Sequence, residues 1–586
     1  MTPLTVPTAC LYSAHEQCWL LFTQPRVVLT TGQHDQVQPL LRQVEQAVAQ
    51  GGWAVGMVSY EAAPAFDAAL PVHAPDKFPL LWFALFDAVE RCAQLPSPQT
   101  TSEIDWQPDI TPAHYAQATA RIKQHIADGD AYQVNYSFRL HAELPAPRHP
   151  HPLPSAGEGR ERGHYPWQLF LQLAQDQSYA AYLDLGDWAL CSTSPELFFN
   201  KQGNTLISRP MKGTQPRGLS FVQDQARAQW LRQSEKNRAE NLMIVDMVRN
   251  DMGRIARPGS VTVPQLFEIE QYPTVWQMTS TVAARTDASV TDIFTALFPP
   301  ASITGAPKRQ AMQIIRNLET SPRNIYTGSI GFIHGAQAQF NVAIRTVAIE
   351  KKTGRAEYGI GSGIVWDSDL ADEYQECLHK AAVLKQARPS FELLESLLWT
   401  PDEGIFLAAQ HLQRLQQSAQ YFGWSVNARE IEQRLAHGVA NLPAQPHKLR
   451  LRVGISGEIT LEAALLTPLP TPYTLTLAPQ PIDESNVFLY HKTTERSHYP
   501  AQEHLLWNTR GEITETTIAN VLYELRDHPG QWFTPPVECG LLPGCYRTWL
   551  LAQGGVQERV LHKDELSQCS RLQLINSVRG RWDAVW

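Results

Sequence analysis

Apolar residues recur at helical spacing in some segments of this chain and at strand spacing in others. Residues 231–254 predict one helix that ends near Gly253, and residues 112–128 predict another. In the first of these helices the apolar positions are Leu231, Leu242, Val245 and Val248. Short apolar runs predict strands at Trp53–Tyr60, Leu80–Val89, Tyr179–Leu185, Ala189–Ser192, Tyr326–Ile333, Ala338–Glu350 and Ala356–Trp366. This mixture predicts an α+β protein.

Carboxylates occur on two of the predicted helices. Glu240 lies in the middle of the 231–254 helix, where the pattern turns apolar, and Lys236 precedes it by one turn. A carboxylate there is costly unless it is paired or bound to a cation, so a Lys236–Glu240 surface pair and a metal ligand are both open. A second helix downstream favours the metal, because it carries Glu373, Glu376 and Lys380 at spacings of three and four.

Lys212 and Glu196 are candidates for chemistry. Lys212 is followed at once by Gly213, so the backbone can bend and the amine can reach into a cleft. A lysine amine attacks carbon only when it is unprotonated, which requires burial or cationic neighbours. Glu196 follows a proline at a turn before an apolar strand. Taken alone, each residue also fits an ordinary solvated surface position.

Three further segments have features that suit an anionic ligand. Thr304 and Pro307 open a predicted helix whose free amides form an anion site, although an ordinary capped helix has the same sequence. Arg345 shares a mostly apolar strand face with Asn341, which suits bidentate carboxylate binding. The glycine run at Gly361–Gly363 is followed by a strand and not by a helix. We therefore reject a dinucleotide fingerprint and expect the backbone to approach a ligand closely.

Composition narrows the class of protein. The chain has 586 residues, 43% of them hydrophobic, and a net charge of −9, which argues against a general nucleic-acid binder. The eight cysteines have no CxxC pairing or metal-ligand spacing, and the first residues do not resemble a secretory leader, so we expect reduced thiols and a cytoplasmic protein. The longest apolar run, Leu80–Phe86, is too short to span a bilayer.

The segment from Leu144 to His164 differs from the rest of the chain. It is rich in Pro, Gly, Arg and His and poor in apolar residues, which is typical of a disordered insert. His149 and His151 within it could be imagined as metal ligands, but we favour a flexible low-complexity insert.

The motifs upstream of residue 388 occur in an order that resembles a known family. They are DGDAYQVNYS, STSPELFF, RPMKGT, EKNRAENLMIVDMVRNDMGR, SITGAPKRQAM, FNVAIRT and GIGSGIVWDSDLADEYQECLHKA. The order resembles the chorismate-utilising enzymes, the family of anthranilate synthase component I, aminodeoxychorismate synthase component I and isochorismate synthase. The resemblance implies a large α/β sandwich domain over residues 1–388.

The resemblance also implies roles for individual residues. Glu240 and Glu376 would hold Mg²⁺, with Glu373 close by, and the ion would bind a carboxylate of chorismate. Glu196 would be the general acid/base. The residues that would hold the substrate carboxylates are Thr304, Arg345, Lys380 and the backbone amides of Gly361, Ser362 and Gly363.

Lys212 narrows the activity that the resemblance implies. Anthranilate synthases resemble this stretch but carry a small residue at that position, whereas aminodeoxychorismate synthases carry a lysine. The lysine implies a covalent route in which the amine adds at C2 of chorismate as the 4-hydroxyl leaves, and ammonia then displaces it at C4. Many relatives have a histidine where this chain has Gln277. Glutamine cannot protonate a leaving group, so Glu196 would bear more of the acid role.

Residues 391–586 follow a short Ala-Arg-Pro-Ser joint and carry other motifs, HLQRL, FLYHKTTER, GEITETTIANVLYEL, LLPGCYR and LINSVRGRW. These resemble the fold-type IV pyridoxal-phosphate enzymes, the group of aminodeoxychorismate lyase, branched-chain aminotransferase and D-amino-acid aminotransferase. The resemblance implies a smaller α+β domain. Lys492, at the end of a predicted strand Val487–Tyr490, would form the Schiff base, and Glu515 would keep the pyridinium nitrogen protonated. The cofactor phosphate would be held by Arg414, the amides of Cys545 and Tyr546, and Ser577.

Together the two resemblances imply a bifunctional enzyme of folate biosynthesis. The first domain would convert chorismate and ammonia to 4-amino-4-deoxychorismate, and the second would split that product into 4-aminobenzoate and pyruvate. The sequence has no glutaminase signature, so ammonia would come from solution or from a separate glutamine amidotransferase subunit. We also expect a homodimer through the second domain, and neither nucleic acid nor membrane as a partner. The alternatives are an anthranilate synthase component I, or a synthase fused to an aminotransferase-like or degenerate dimerisation domain.

Overall fold

The computed structural model describes residues 6–98, 104–144, 164–174, 178–381, 384, 389–469 and 473–586. Apart from its first and last residues, the predicted insert at 144–164, with both of its histidines, lies outside these ranges. The contacts divide the chain into two compact units. Unit 1 comprises Met1–Thr214, Leu231–Glu270 and Gln277–Ala387, and unit 2 comprises Gln215–Trp230, Gln271–Trp276 and Arg388–Trp586. Among the helices of the described ranges, none combines the length and the apolar character that a membrane span requires.

Unit 1 is built on two ten-stranded sheets. The first is antiparallel throughout, in the order Gly305–Ala306, Gln133–Glu143, Arg355–Ile364, Thr346–Glu350, Trp188–Ser194, Tyr179–Asp184, Ala9–Ser13, Cys18–Phe22 and Glu90–Cys92, with Gln107–Pro108 also paired to Gln133–Glu143. The second runs Met211–Pro216, Val275–Arg285, Thr205–Arg209, Leu197–Gln202, Gln337–Val342, Ser329–His334, Trp53–Val58, Leu81–Phe86 and Val27–Thr31, with Thr262–Gln271 paired to Val275–Arg285.

Three apolar layers hold the two sheets and their helices together. Between the sheets, Phe22 of the first sheet packs against Trp53 and Phe86 of the second. The outer face of the first sheet is covered by helices Pro112–Ala127, His164–Leu173, Lys308–Leu318 and Leu370–Ala381. The outer face of the second is covered by helices His34–Ala49, Ala63–Phe66, Glu235–Gly253 and Val290–Leu297. This arrangement confirms the predicted sandwich. The helix that carries Glu240 lies on the second sheet, and the helix that carries Glu373 and Glu376 lies on the first.

The predicted helix at 231–254 is two helices. The first runs Phe221–Gln233 and the second Glu235–Gly253. Ser234 separates them, because its backbone is extended and its hydroxyl accepts a hydrogen bond from the amide of Asn237, as an N-cap does. Leu242 is 44% exposed, so this position of the apolar pattern does not face the core. The buried residues of the second helix are Asn241, Ile244, Val245, Val248 and Met252.

Unit 2 contains two smaller sheets. A four-stranded sheet, Gly404–Ile405, Leu393–Thr400, His447–Val453 and Ile459–Leu465, packs against helices Ala408–Phe422 and Ala428–Val439. A six-stranded sheet runs Tyr473–Thr474, Gly580–Val585, Cys569–Asn576, Asn520–Leu525, Trp532–Thr534 and Gln557–Glu558, and helix Cys545–Ala552 lies beside it.

Two features of unit 2 differ from the sequence expectation. The predicted strand at Val487–Tyr490 is a short 3-10 helix, Val487–Leu489, begun by an Asn486 side chain that accepts from a backbone amide. The segment Gln215–Trp230 also folds as part of this unit. There Arg217 makes a buried bidentate ion pair with Asp224 and donates to the carbonyl oxygen of Tyr421.

Candidate active sites

Lys212 and Glu240 meet in unit 1. Lys212 lies on strand Met211–Pro216 and Glu240 on helix Glu235–Gly253. The Lys212 Nζ is 3.8 Å from a carboxylate oxygen of Glu240, and each side chain is 14% exposed. The amine also reaches over the glycine strand, since a Cβ built on Gly363 would lie 2.1 Å from Nζ. A side chain at position 363 would therefore displace the amine from this position.

The acidic residues around Glu240 are partly shielded from water. Burial raises the pKa of Glu240, the ammoniums of Lys212 and Lys236 lower it, and the carboxylates of Glu373 and Glu376 raise it again. The charges of Glu373 and Glu376 therefore act on Glu240. Such a group of partly shielded carboxylate oxygens fits a hard cation that keeps some of its ligands as water or substrate.

Each of these carboxylates has a protein partner as well. Glu376 lies 2.6 Å from the Nζ of Lys380. Burial raises the pKa of Glu376, but Lys380, together with Lys212 and Lys236, holds it below its usual value. Glu373 accepts a hydrogen bond from the Ser368 hydroxyl at 2.7 Å. Over the described part of the chain, the one trio of metal-ligand types with ligand atoms all within 4.8 Å lies in unit 2: Glu395, His411 and Cys545. A magnesium site at Glu240, Glu373 and Glu376 therefore requires these side chains to move closer together.

The glycine strand Arg355–Ile364 has an open edge beside these groups. Strand Thr346–Glu350 pairs with it only as far as Tyr358, and strand Gln133–Glu143 covers its other edge along the full length, as far as the described residues go. Lys380 donates to the carbonyl oxygen of Gly361 at 3.1 Å. Ser362 points the opposite way, because its hydroxyl is buried against the Tyr115 hydroxyl at 2.8 Å. Only the backbone of Ser362 can serve a ligand.

Thr304 and Arg345 differ from their predicted settings. Thr304 precedes the helix Lys308–Leu318 by four residues, because Gly305–Ala306 pairs with strand Gln133–Glu143 before the helix begins. It therefore does not cap that helix. Arg345 does not extend a strand either. The strand ends at Val342, and the Arg345 backbone is left-handed with φ 49°, so the face it was predicted to share with Asn341 does not exist. Whether either residue binds substrate stays a prediction.

Glu196 is a buried carboxyl beside Lys212. It is 4% exposed and accepts a hydrogen bond from the Ser302 hydroxyl. Burial raises its pKa to about 7, although Ser302, the Met211 backbone and Lys212 lower it. A carboxyl with this pKa can hold or release a proton near neutral pH, as a general acid/base must.

Sequence reasoning missed the polar groups around Lys212. Gln133 is completely buried, yet among the described residues neither atom of its amide has a hydrogen-bond partner. A Cβ on Gly363 would lie 2.9 Å from the Gln133 Nε2, so this amide faces the same point as the Lys212 amine. The signal was present in the alternation of Gln133, Asn135 and Ser137 along a buried strand, which places three polar residues on one face.

The second site surrounds Lys492 in unit 2. Lys492 is partly buried, and burial together with the charge of Arg414 lowers its pKa to about 8. Its carbonyl oxygen accepts from the amide of Leu394 at 3.0 Å, which fixes the backbone against the four-stranded sheet. Glu515 is 3% exposed and accepts from the Tyr499 hydroxyl at 2.8 Å and the Asn520 side-chain amide at 3.0 Å. Burial raises the pKa of Glu515 to about 7.

Arg414 and the helix at Cys545 form the basic side of this site. Glu395 holds Arg414 through two parallel bonds, Nε to Oε1 at 2.9 Å and Nη2 to Oε2 at 2.6 Å. Cys545 and Tyr546 open a helix, so their backbone amides have no partner within it and suit a phosphate. The Tyr546 ring stacks on Trp549. Ser577 is buried in the turn between Cys569–Asn576 and Gly580–Val585, and its phosphate role stays a prediction.

These residues fit pyridoxal phosphate by their chemistry. A lysine with a lowered pKa can condense with an aldehyde, a buried glutamate held by two donors can face a ring nitrogen, and an arginine beside a helix N-terminus can hold a phosphate. The charges also act on one another, since Glu515 and Glu395 raise the pKa of Lys492 while Arg414 lowers it.

The fold and the two sites together define a two-part enzyme. The site of the first part gathers carboxylates and ammoniums, and the site of the second part is suited to a phosphorylated aldehyde cofactor. The family model for chorismate binding enzymes matches residues 7–386, and the chain belongs to that family. The model for class IV amino-transferases matches residues 392–584, so the chain joins the two kinds of domain.

Curated relatives match the first part. Aminodeoxychorismate synthase component 1 of Salmonella typhimurium is 41% identical over 280 residues, which cover 47% of this chain and 57% of that protein. Its Bacillus subtilis counterpart is 39% identical over 278 residues, covering 47% and 55%. Anthranilate synthase component 1 of Streptomyces coelicolor is 35% identical over 289 residues, covering 48% and 52%. The chain thus spans little more than half the length of these relatives.

A solved structure supports the fold of the same part. Anthranilate synthase component I from Streptococcus pneumoniae aligns with a TM-score of 0.52 at 24% identity, over 63% of this chain and 92% of that chain.

Proposed function

We propose that this chain makes 4-aminobenzoate and pyruvate from chorismate and ammonia in two steps. The observation that carries the proposal is the position of the Lys212 amine, 3.8 Å from Glu240 and directly over Gly363. A lysine there supports amination at C4 of chorismate. The relatives named aminodeoxychorismate synthase component 1 support the same activity.

In the first step the Lys212 amine forms a bond to C2 of chorismate as the 4-hydroxyl leaves. Glu196 donates the proton with which that hydroxyl departs as water, and its pKa near 7 allows this at neutral pH. Ammonia then forms a bond to C4 and the Lys212 nitrogen leaves from C2. The net change replaces the hydroxyl by an amino group and releases one water.

We assign Mg²⁺ to Glu240, Glu373 and Glu376, where it would bind a substrate carboxylate and neutralise the local negative charge. Lys380 beside Gly361 supports carboxylate binding at the open edge of the glycine strand. Arg345 and Thr304 are assigned to substrate by the resemblance alone.

In the second step the residues around Lys492 split the aminated product into 4-aminobenzoate and pyruvate. Bound pyridoxal phosphate supplies an electron sink for this elimination. Arg414 and the amides of Cys545 and Tyr546 would hold its phosphate, with Ser577, and Glu515 would face its ring nitrogen. The Lys492 amine, with a pKa near 8, would take up and return the proton that moves during the elimination.

Further assignments rest on the resemblance and on composition. We propose two catalytic domains, residues 1–388 and 391–586, that act in the cytoplasm on consecutive steps of folate synthesis. Ammonia would come from solution or from a separate glutamine amidotransferase subunit, and the second domain would form a homodimer.

The test is incubation of the full chain with chorismate, Mg²⁺, ammonium and pyridoxal phosphate, followed by mass spectrometry of the products. We expect 4-aminobenzoate and pyruvate in equal amounts. Anthranilate with pyruvate would show an anthranilate synthase instead. Aminodeoxychorismate that accumulates without cleavage, while an added amino acid is transaminated, would show that the second domain is an aminotransferase.

A further inference from the structure

The side chain of Gln277 holds the backbone that follows Lys212. Gln277 lies on strand Val275–Arg285, beside strand Met211–Pro216, and is 9% exposed. Its Nε2 donates to the carbonyl oxygen of Gly213 at 2.9 Å, and its Oε1 accepts from the Thr214 hydroxyl at 3.0 Å. A carbonyl oxygen can only accept, so this pair of bonds fixes the orientation of the amide.

Asn241 holds Lys212 itself from another element. It directly follows Glu240 on the helix and is 1% exposed. Its Nδ2 donates to the carbonyl oxygen of Lys212 at 3.2 Å, and its Oδ1 accepts from the Ser280 hydroxyl. The three residues from Lys212 to Thr214 are therefore tied both to the Glu240 helix and to the neighbouring strand.

This segment needs such ties. Gly213 has φ +100°, a conformation that other residues rarely adopt, so its own backbone preferences do not restrict it to one geometry. The amine of Lys212 stands at the end of a flexible side chain, and a misplacement of about 1 Å at a reacting group can lower a rate about a hundredfold. The backbone position determines where the Lys212 side chain begins, so a fixed backbone helps to place its amine.

We propose that Gln277 is a positioning residue for Lys212, acting through the nitrogen and the oxygen of its side-chain amide. Donation to Gly213 and acceptance from Thr214 each contribute to this positioning. Glutamate at 277 keeps the acceptor but presents a second acceptor to the Gly213 carbonyl, and alanine loses both bonds. The proposal rests on the proposed function, in which Lys212 is the nucleophile.

The chain offers a matched control for the Thr214–Gln277 pair. The Thr281 hydroxyl donates to the Gln265 Oε1 at the same distance, 3.0 Å, and Thr281 lies on the same strand as Gln277. Thr281→Val removes an equivalent bond between threonine and glutamine that does not involve the residues beside Lys212.

The experiment measures steady-state amination of chorismate in the full chain for Gln277→Ala, Gln277→Glu, Thr214→Val, Thr214→Ser, the Gln277→Ala/Thr214→Val double variant and Thr281→Val. We expect kcat to fall about ten- to a hundredfold in Gln277→Ala, with KM for chorismate within about twofold. Gln277→Glu and Thr214→Val should fall less, and Thr214→Ser and Thr281→Val should resemble the wild type. The double variant should be no slower than Gln277→Ala, because Gln277→Ala already removes the hydrogen bond that Thr214→Val would break.

A second measurement does not depend on turnover. The rate at which an amine-reactive acylating reagent modifies Lys212, followed by peptide mass mapping, should change in Gln277→Ala and stay unchanged in Thr281→Val. A rise in KM with unchanged kcat, additive effects in the double variant, or full activity in Gln277→Glu would overturn the positioning role. If the wild type fails to aminate chorismate while Lys212 labelling still responds to Gln277→Ala, the proposed function is wrong, but Gln277 still positions Lys212.

Discussion

The two lysines of the proposed reaction lie in contrasting surroundings. Lys212 has the Glu240 carboxylate 3.8 Å away, and Glu240 in turn senses Glu373 and Glu376. Lys492 has Arg414 close enough to lower its pKa, and burial lowers it further, to about 8. The first site gathers three carboxylates among the ammoniums of Lys212, Lys236 and Lys380, whereas the second carries a guanidinium, Arg414, as its cation beside Lys492.

The contrast teaches which site depends on an added cation. The pKa of Glu240 stays raised although Lys212 and Lys236 lower it, so the first site is suited to a further positive ion, a metal that arrives with an anionic substrate. In the second site Arg414 already balances Glu395 through two hydrogen bonds. We therefore expect a metal chelator to stop amination and to leave cleavage of supplied aminodeoxychorismate intact.

The largest effects should come from replacing the lysines, and each variant serves as the control for the other. Lys212→Ala should reduce amination roughly a thousandfold or more without loss of cleavage, and excess ammonium should not rescue it. Lys492→Ala should abolish cleavage, so that the aminated intermediate accumulates. Borohydride reduction of the wild type should leave a phosphopyridoxyl group on Lys492, and intact mass after chorismate without ammonia should show an adduct on Lys212. A label or adduct on another lysine would break the comparison.

The next effect concerns the carboxylates of the first site. Glu240→Gln and Glu376→Gln should each lower amination about a hundredfold or more and raise the Mg²⁺ concentration needed for half-maximal rate, because one ligand of few is lost. Asp246→Asn is the control on the same helix, since that side chain is exposed and pairs with Arg249. Wild-type amination by either glutamine variant at limiting Mg²⁺ would show that the metal lies elsewhere.

Local structure decided which residues of the two sites could be positioned from the sequence. Glu373, Glu376 and Lys380 lie on one helix, so their spacing in the sequence was enough to predict that they are neighbours. Lys492 lies outside any regular element, and the strand predicted before it is a 3-10 helix, because an asparagine side chain replaces strand pairing there. Arg345 was misplaced because its strand ends at Val342 and the Arg345 backbone itself is left-handed. Backbone breaks of this kind leave little trace in the spacing of apolar residues.

A smaller effect, with a pH dependence, is expected at Glu196. Its pKa of about 7 is raised from the ordinary value, so the carboxyl is protonated below pH 7 and loses the proton needed by the leaving hydroxyl above it. The rate of amination should fall as pH rises through about 7. Glu196→Gln should be about a hundredfold slower, and its rate should not show this fall with pH. Glu61→Gln is the control: Glu61 has a similar pKa of about 7 but accepts from the amides of Arg323 and Asn324 in the core. If the fall in amination rate near pH 7 also disappears in Glu61→Gln, Glu196 is not the acid.

The smallest effect is expected at Cys545, in the site that carries its own cation. Burial raises the pKa of the Cys545 thiol to about 12, so at neutral pH it is neither a nucleophile nor an anion that would repel a phosphate. Its proposed contribution is the backbone amide at the start of helix Cys545–Ala552, which Cys545→Ser retains. Titration of the cofactor-free protein with pyridoxal phosphate should therefore give a Kd within about threefold of wild type, less than about 0.7 kcal/mol. Arg414→Lys cannot reproduce the paired bonds to Glu395 and should weaken binding at least about tenfold. Equal losses in the two variants would mean that the thiol itself belongs to the phosphate site, and that the basic side of this site is not Arg414 and the helix alone.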